Sequence, residues 1–288
     1  MIGYNSTMNI PHTAATGLWL GLVGVAVLSP DALILRLFEG NTAALVAGRA
    51  FALSVFAAIL VALFPILRRG FQWRPGLLYA TCYGVGLASF PVSVLHTHVA
   101  NTVVILAVAP LLAAIGAKWF LGETVAKRTW LAATICAAGL FAVFAPQLTA
   151  GGGLGDALAL VTAFSLAAGA ITIRRYSNVN LFPGFILAGL GVAVVYAPFA
   201  DFNISAGDYA LLAGNGTLTM TAFLFIMAAS RRLSPPEVNL LFLLETLLAP
   251  LWVWMALGEQ PPLITVAAGV LIAATIGWHS AAALRATK

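Results

Sequence analysis

The sequence predicts an all-α membrane protein: ten transmembrane helices, arranged as two inverted five-helix repeats in one transmembrane domain (residues 1–288), with both termini cytoplasmic. Three observations predict it. Hydrophobic residues make up 61% of the chain and charged residues 8%, against about 25% charged in ordinary soluble domains. Too few polar side chains exist to cover a soluble surface, so the solvent is lipid. The apolar residues also fall into runs close to the roughly 20 that a helix needs to cross hydrocarbon. Finally, a Leu-Gly-Glu tripeptide recurs at 121–123 and 257–259, each time closing a run.

The expected spans are 17–38, 43–67, 75–95, 101–121, 129–146, 154–173, 181–200, 208–229, 236–257 and 262–283. Connections of a few residues leave no room for a soluble domain. Span 1 carries Gly17, Gly21 and Gly24, which permit close helix approach, and then Ser29-Pro30-Asp31. Pro30 frees the carbonyl of Ala26, and the triplet also reads as a helix restart with Ser29 as N-cap. Span 2 holds Arg49 at a depth comparable with Asp31, so the two could pair across the hairpin. Span 3 sets Tyr79, Tyr83, Gly86 and Phe90 on one face. Span 6 contains Ser165, and span 7 is rich in glycine (Gly184, Gly189, Gly191). Span 8 sets Asn215, Thr219, Ala222 and Phe223 on one face, and span 9 does so with Asn239, Phe242, Thr246 and Pro250.

Charge fixes the orientation. Arg68, Arg69, Arg74, Lys118, Lys127, Arg128, Arg174, Arg175, Arg231, Arg232, Arg285 and Lys288 all flank the ends of even-numbered spans. The opposite loops hold Arg36, His96, His98, Asp201, Asp208 and Glu259. By the positive-inside rule both termini face the cytoplasm. The first sixteen residues lack a positive n-region, so the N-terminus is expected to be retained.

From Glu123 to Glu259 the offset is 136 residues, and carrying it along the chain aligns Tyr79 with Asn215, Tyr83 with Thr219 and Thr129 with Thr265. The repeats are then about 17–146 and 154–283. Because each holds an odd number of spans, the second enters the membrane from the other face. Inverted repeats of this kind point to a transporter with its site near the midplane. Pro110 upstream of Leu121-Gly122-Glu123, followed by a further apolar span, resembles the EamA repeat of the drug/metabolite transporter superfamily. Two such repeats in ten spans resemble its YddG-like amino-acid and metabolite exporters. Where that family commonly has Glu-Pro, this chain reads Ala109-Pro110 in one half and Glu245-Thr246 in the other. The resemblance implies a secondary transporter exporting small metabolites, amino acids including aromatic ones foremost, by alternating access, with spans 1, 3, 4, 6, 8 and 9 around the cavity. A channel-like or multidrug pathway is the other reading.

Polar groups inside an apolar bundle need partners or a water-accessible path. The candidate substrate-binding residues are therefore Tyr79, Tyr83, Ser165, Asn215, Thr219, Asn239 and Thr246. Alternatives stand beside them: an interfacial belt for the tyrosines, and a bond to the preceding turn for Ser165 and Ser29. Glu245 lies about nine residues, roughly 14 Å, into span 9. It is open to three roles: a packing residue, a proton-coupling acid or a direct ligand.

Other classes lack their residues. There is no H-E-x-x-H, G-x-S-x-G or phosphate-binding loop, so neither an enzyme nor an ATP-driven pump is expected, and no metal or cofactor. Lys and Arg occur in short pairs rather than on a basic face, which excludes nucleic acid, and no cationic cluster awaits a phosphate or nucleotide sugar. Cys82 and Cys136 lie in apolar runs and are read as small hydrophobes without a disulfide. The expected partners are a small-molecule substrate and the lipid bilayer, with the chain a monomer in the cell membrane, the inner membrane in a bacterium.

Overall fold

A computed structural model of the chain describes residues 11–97, 99–145, 148, 153–258 and 263–285. Among these, the regular structure is helical: α1 (Pro11–Leu28), α2 (Asp31–Leu37), α3 (Thr42–Leu63), α4 (Trp73–His96), α5 (Val99–Leu106), α6 (Ala109–Gly116), α7 (Lys127–Phe144), α8 (Gly153–Arg175), α9 (Gly184–Tyr196), α10 (Ala206–Ser230), α11 (Pro235–Phe242), α12 (Glu245–Leu257) and α13 (Leu263–Arg285). Six stretches are long and apolar enough to cross a membrane: Ala15–Leu35, Thr42–Leu63, Trp73–His96, Asn101–Leu121, Gly153–Arg175 and Ala206–Ser230. Gly184–Phe199 and Val266–Ala282 are shorter apolar helices. Phe51, Leu63, Trp119, Val194 and Met255 stand exposed on the outer surface. So much exposed apolar area marks the chain as membrane-embedded.

Three expected spans are not continuous helices. The first breaks at Ser29-Pro30, but its restart differs from the sequence expectation. Pro30, without a side-chain cap, precedes α2, while the Ser29 hydroxyl donates back to the Ala26 carbonyl at 2.8 Å. That carbonyl is the one Pro30 leaves without an N–H partner. The spans at 101–121 and 236–257, expected whole, also divide. Between α5 and α6, Pro110 cannot donate to Leu106, and the Val108 N–H turns to the Ile105 carbonyl at 3.1 Å. Between α11 and α12 no proline intervenes; Leu243 and Leu244 donate to Leu240 and Leu241 at 3.1 and 3.0 Å, tightening the turn. The breaks at 107–108 and 243–244 are separated by the same 136 residues that separate the two Leu-Gly-Glu tripeptides. Gly122 (φ +68°) and Gly258 (φ +72°) keep that spacing too. Each cap needs the left-handed backbone that glycine adopts without steric cost.

Packing follows a pattern of exchanged pairs. α4 packs on α8 and α1 on α10; α3 packs on both α9 and α10, α4 on α9, and α7 on α13. A shift of 136 residues carries α4 onto α10, α3 onto α9 and α7 onto α13. Small residues allow these approaches. Ser89 bonds Thr162 at 2.7 Å, Ser93 donates to the Gly155 carbonyl at 2.9 Å, and Ser54 donates to that of Ile186 at 3.0 Å. At one end of the bundle Arg174 pairs with Glu123 at 2.7 Å, and Arg231 reaches the Val179 carbonyl at 3.3 Å. At the other end the Glu39 N–H donates to Asp208 at 3.2 Å, and Asn41 donates to the Phe199 carbonyl at 3.2 Å.

One of these close approaches gives a test. A Cβ on Gly216 would meet Ala52 Cβ and Leu53 N at 2.6 Å, whereas one on Gly214 meets nothing within 4 Å. Gly216→Ala should cost about 1–3 kcal/mol by overpacking α10 on α3. Gly214→Ala should be neutral or gain about 0.5–1 kcal/mol of helix propensity. Thermal unfolding in detergent compares the two; equal losses would contradict the close approach.

Candidate functional site

The charges nearest the middle of the bundle come from broken helices and their neighbours. Asp31 opens α2 and is 2% exposed, and Arg49 in α3 is 4% exposed. Arg49 Nη2 lies 3.3 Å from Asp31 Oδ1 and 3.5 Å from Oδ2. Desolvating such a pair costs several kcal/mol per ion, recovered only when further hydrogen bonds hold the charges. One is supplied by Asn215, fully buried in α10, whose amide donates to Asp31 Oδ1 at 2.6 Å. Glu245 opens α12, where an acid suits the positive end of the helix dipole. Both it and Tyr83 lie within electrostatic reach of Asp31 and Arg49. Five helices, α2, α3, α4, α10 and α12, thus bring polar groups to one place.

Beside this cluster runs a wall of rings. Tyr79 and Tyr83 stack with centroids 6.0 Å apart. Tyr83 meets Phe185 edge-on at 4.8 Å and Phe223 at 4.7 Å, and Phe223 leads on to Phe242 at 5.9 Å. Around these groups and on α11, several buried polar atoms make no hydrogen bond among the described residues. They are Arg49 Nε and Nη1, Tyr83 Oη, Asn215 Oδ1, Thr219 Oγ1 and Asn239 Oδ1. Buried polar groups are ordinarily satisfied, and each exception asks for an explanation.

Of the residues singled out in the sequence, Tyr83, Asn215, Thr219 and Asn239 all carry such an atom. Thr219 stands midway between Asn215 and Phe223 on one face of α10. Asn239 spends its amide N–H on the Pro235 carbonyl at 2.9 Å and keeps its oxygen unpartnered. Tyr79 is 1% exposed, packed edge-on against Phe185 at 5.2 Å, so it forms no lipid-facing belt. Ser165 is occupied in helix packing, its hydroxyl donating to the Cys82 carbonyl. The Thr246 and Pro250 side chains, His98 and Glu259 lie outside the described residues. The wider contribution of α3 and α9 was not foreseen. Arg49 was legible as a lone charge in an apolar run, but Phe185 is one of 17 phenylalanines and carried no signal. Trp252 was likewise unmarked, although its indole N–H donates to Ser29 Oγ at 2.8 Å.

No protein-family model matches the chain, and a comparison with curated proteins gives no match. Among solved proteins, a crystal structure 14% identical in sequence superposes with a TM-score of 0.74, covering 91% of this chain and 96% of its own. At that identity the likeness shows a shared fold alone.

The ion pair yields a sharp expectation. Asp31→Asn leaves the Arg49 charge buried without its counter-ion and should destabilise the protein by about 3–5 kcal/mol. Adding Arg49→Gln removes the orphaned charge and should restore most of that loss. Thermal midpoints of the single and double variants in detergent check the order.

Proposed function

We propose that the chain is a secondary transporter that exports small metabolites, amino acids including aromatic ones foremost, by alternating access. The observation that carries this reading is the set of buried, unpartnered donors and acceptors that accompanies an ion pair and an aromatic wall. Such a combination suits a molecule with a polar head and an apolar side chain, because ligand sites combine apolar walls with a few placed polar groups. Discontinuous helices deliver the acids there, as in transporters whose half-helix ends meet the substrate.

In this reading the ten predicted spans cross the membrane, with α1–α2, α5–α6 and α11–α12 each forming one broken span. The paired breaks, the paired glycine caps and the exchanged packing pairs support two inverted five-helix repeats. Basic residues gathered at the Glu123–Arg174 end support a cytoplasmic location for that end and for both termini. The resemblance to EamA exporters points the same way. Rocking of one repeat against the other would open the site alternately to each side of the cell membrane. Glu245 marks where the halves differ, since Ala109 stands at the matching position.

Purified protein in proteoliposomes, offered a panel of amino acids, drugs and nucleotide sugars with and without a proton gradient, tests the proposal. Saturable counterflow of amino acids is expected; movement without counterflow would favour a channel, and no amino-acid movement would sink the reading. Tyr83→Phe and Thr219→Val remove hydroxyls that no described residue satisfies. Each should leave stability unchanged or raised by about 1 kcal/mol while lowering transport about tenfold. If Glu245 couples protons, Glu245→Gln will abolish the gradient dependence and spare counterflow.

A further inference from the structure

We propose that Arg49 is the anchor for a carboxylate on the transported molecule, so that the site selects carboxylates bearing an aromatic or aliphatic tail. The inference rests on the reading of this site as a substrate chamber.

Arginine keeps its charge in any protein environment and presents five N–H donors in a planar fork. In this site the fork is 4% exposed and only Nη2 is engaged. Its distances to Asp31, 3.3 and 3.5 Å, are long beside the roughly 2.7–2.9 Å of a well-made charged hydrogen bond. Asp31 is held more closely by Asn215, at 2.6 Å. Asp31 therefore supplies Arg49 with a counter-charge but not with a bidentate partner. Nε and Nη1 make no bond among the described residues, and donors left in this way match the geometry of a second carboxylate.

The surroundings narrow the class. Asp31 already sets one negative charge against the single guanidinium, which disfavours a phosphate of about two negative charges and admits a monocarboxylate or a zwitterion. Unpartnered acceptors, Asn215 Oδ1 and Asn239 Oδ1, suit an ammonium group. The rings of Tyr83, Phe185, Phe223 and Phe242 offer edges and faces to the remaining side chain. Arg49 thereby fixes which end of an amino acid enters the charged cluster.

The experiment is counterflow competition in proteoliposomes, with L-phenylalanine, its amide, phenethylamine and 3-phenylpropionate as competitors. Wild-type protein should prefer phenylalanine roughly 10- to 100-fold over the amide and the amine, since each lacks the carboxylate that Arg49 would bind. The Asp31→Asn/Arg49→Gln double variant should lose that preference. Should the double variant fail to fold, Arg49→Lys, which keeps the charge but not the fork, should reduce the preference. Equal competition by phenylalanine and its amine in the wild type, or discrimination that survives in a folded double variant, would overturn the anchor while leaving amino-acid transport intact. Uptake of 3-phenylpropionate without phenylalanine, lost in the variants, would overturn the amino-acid reading and uphold the anchor. If neither compound moves, both fall.

Discussion

A hydrocarbon interior offers no hydrogen-bond partners, and the rest of this structure depends on how the protein holds an ion pair inside it. Asp31 and Arg49 survive burial because Asn215 adds a third, short contact and because helices close around them. The arrangement sets constraints outward. Asp31 opens α2 directly after Pro30, and α1 ends before that proline, at Leu28. Arg49 must reach Asp31, so α3 lies close to α10, and Gly216 takes the space at their contact.

Much of the architecture was legible from residues alone, because in a membrane chain hydrophobic run length and helix count are nearly the same quantity. Each predicted span corresponds to a helix or to a broken pair, with ends displaced by a few residues. What periodicity missed are the divisions inside two apolar runs. Pro110 announces one of them, though only to a reader who expects a break in lipid. The turn at Leu243-Leu244 has no composition signal at all, and is found through its 136-residue relation to the first.

The site was legible to a different degree. Tyr83, Asn215, Thr219 and Asn239 stand out because polar atoms in greasy helices are costly wherever they face. Arg49 and Asp31 were visible as a pair, yet their relation to Asn215 depends on which helices pack together, information carried by no single span. Ser165 shows the converse: its hydroxyl is as conspicuous in sequence as that of Thr219, but it meets a neighbouring helix's carbonyl. Only the three-dimensional partner distinguishes a hydroxyl used for packing from one left open.

The contact between Trp252 and Ser29 has a mechanical meaning. The hydroxyl that accepts from the indole is the one that covers the Ala26 carbonyl beside Pro30. The weakest point of one broken helix is thereby tethered to the far half of another, 223 residues on. Any slide of α12 past α1 must drag this joint along or tear the tether and bare a carbonyl. One hydrogen bond thus couples the two discontinuous helices, whose second segments open with Asp31 and Glu245.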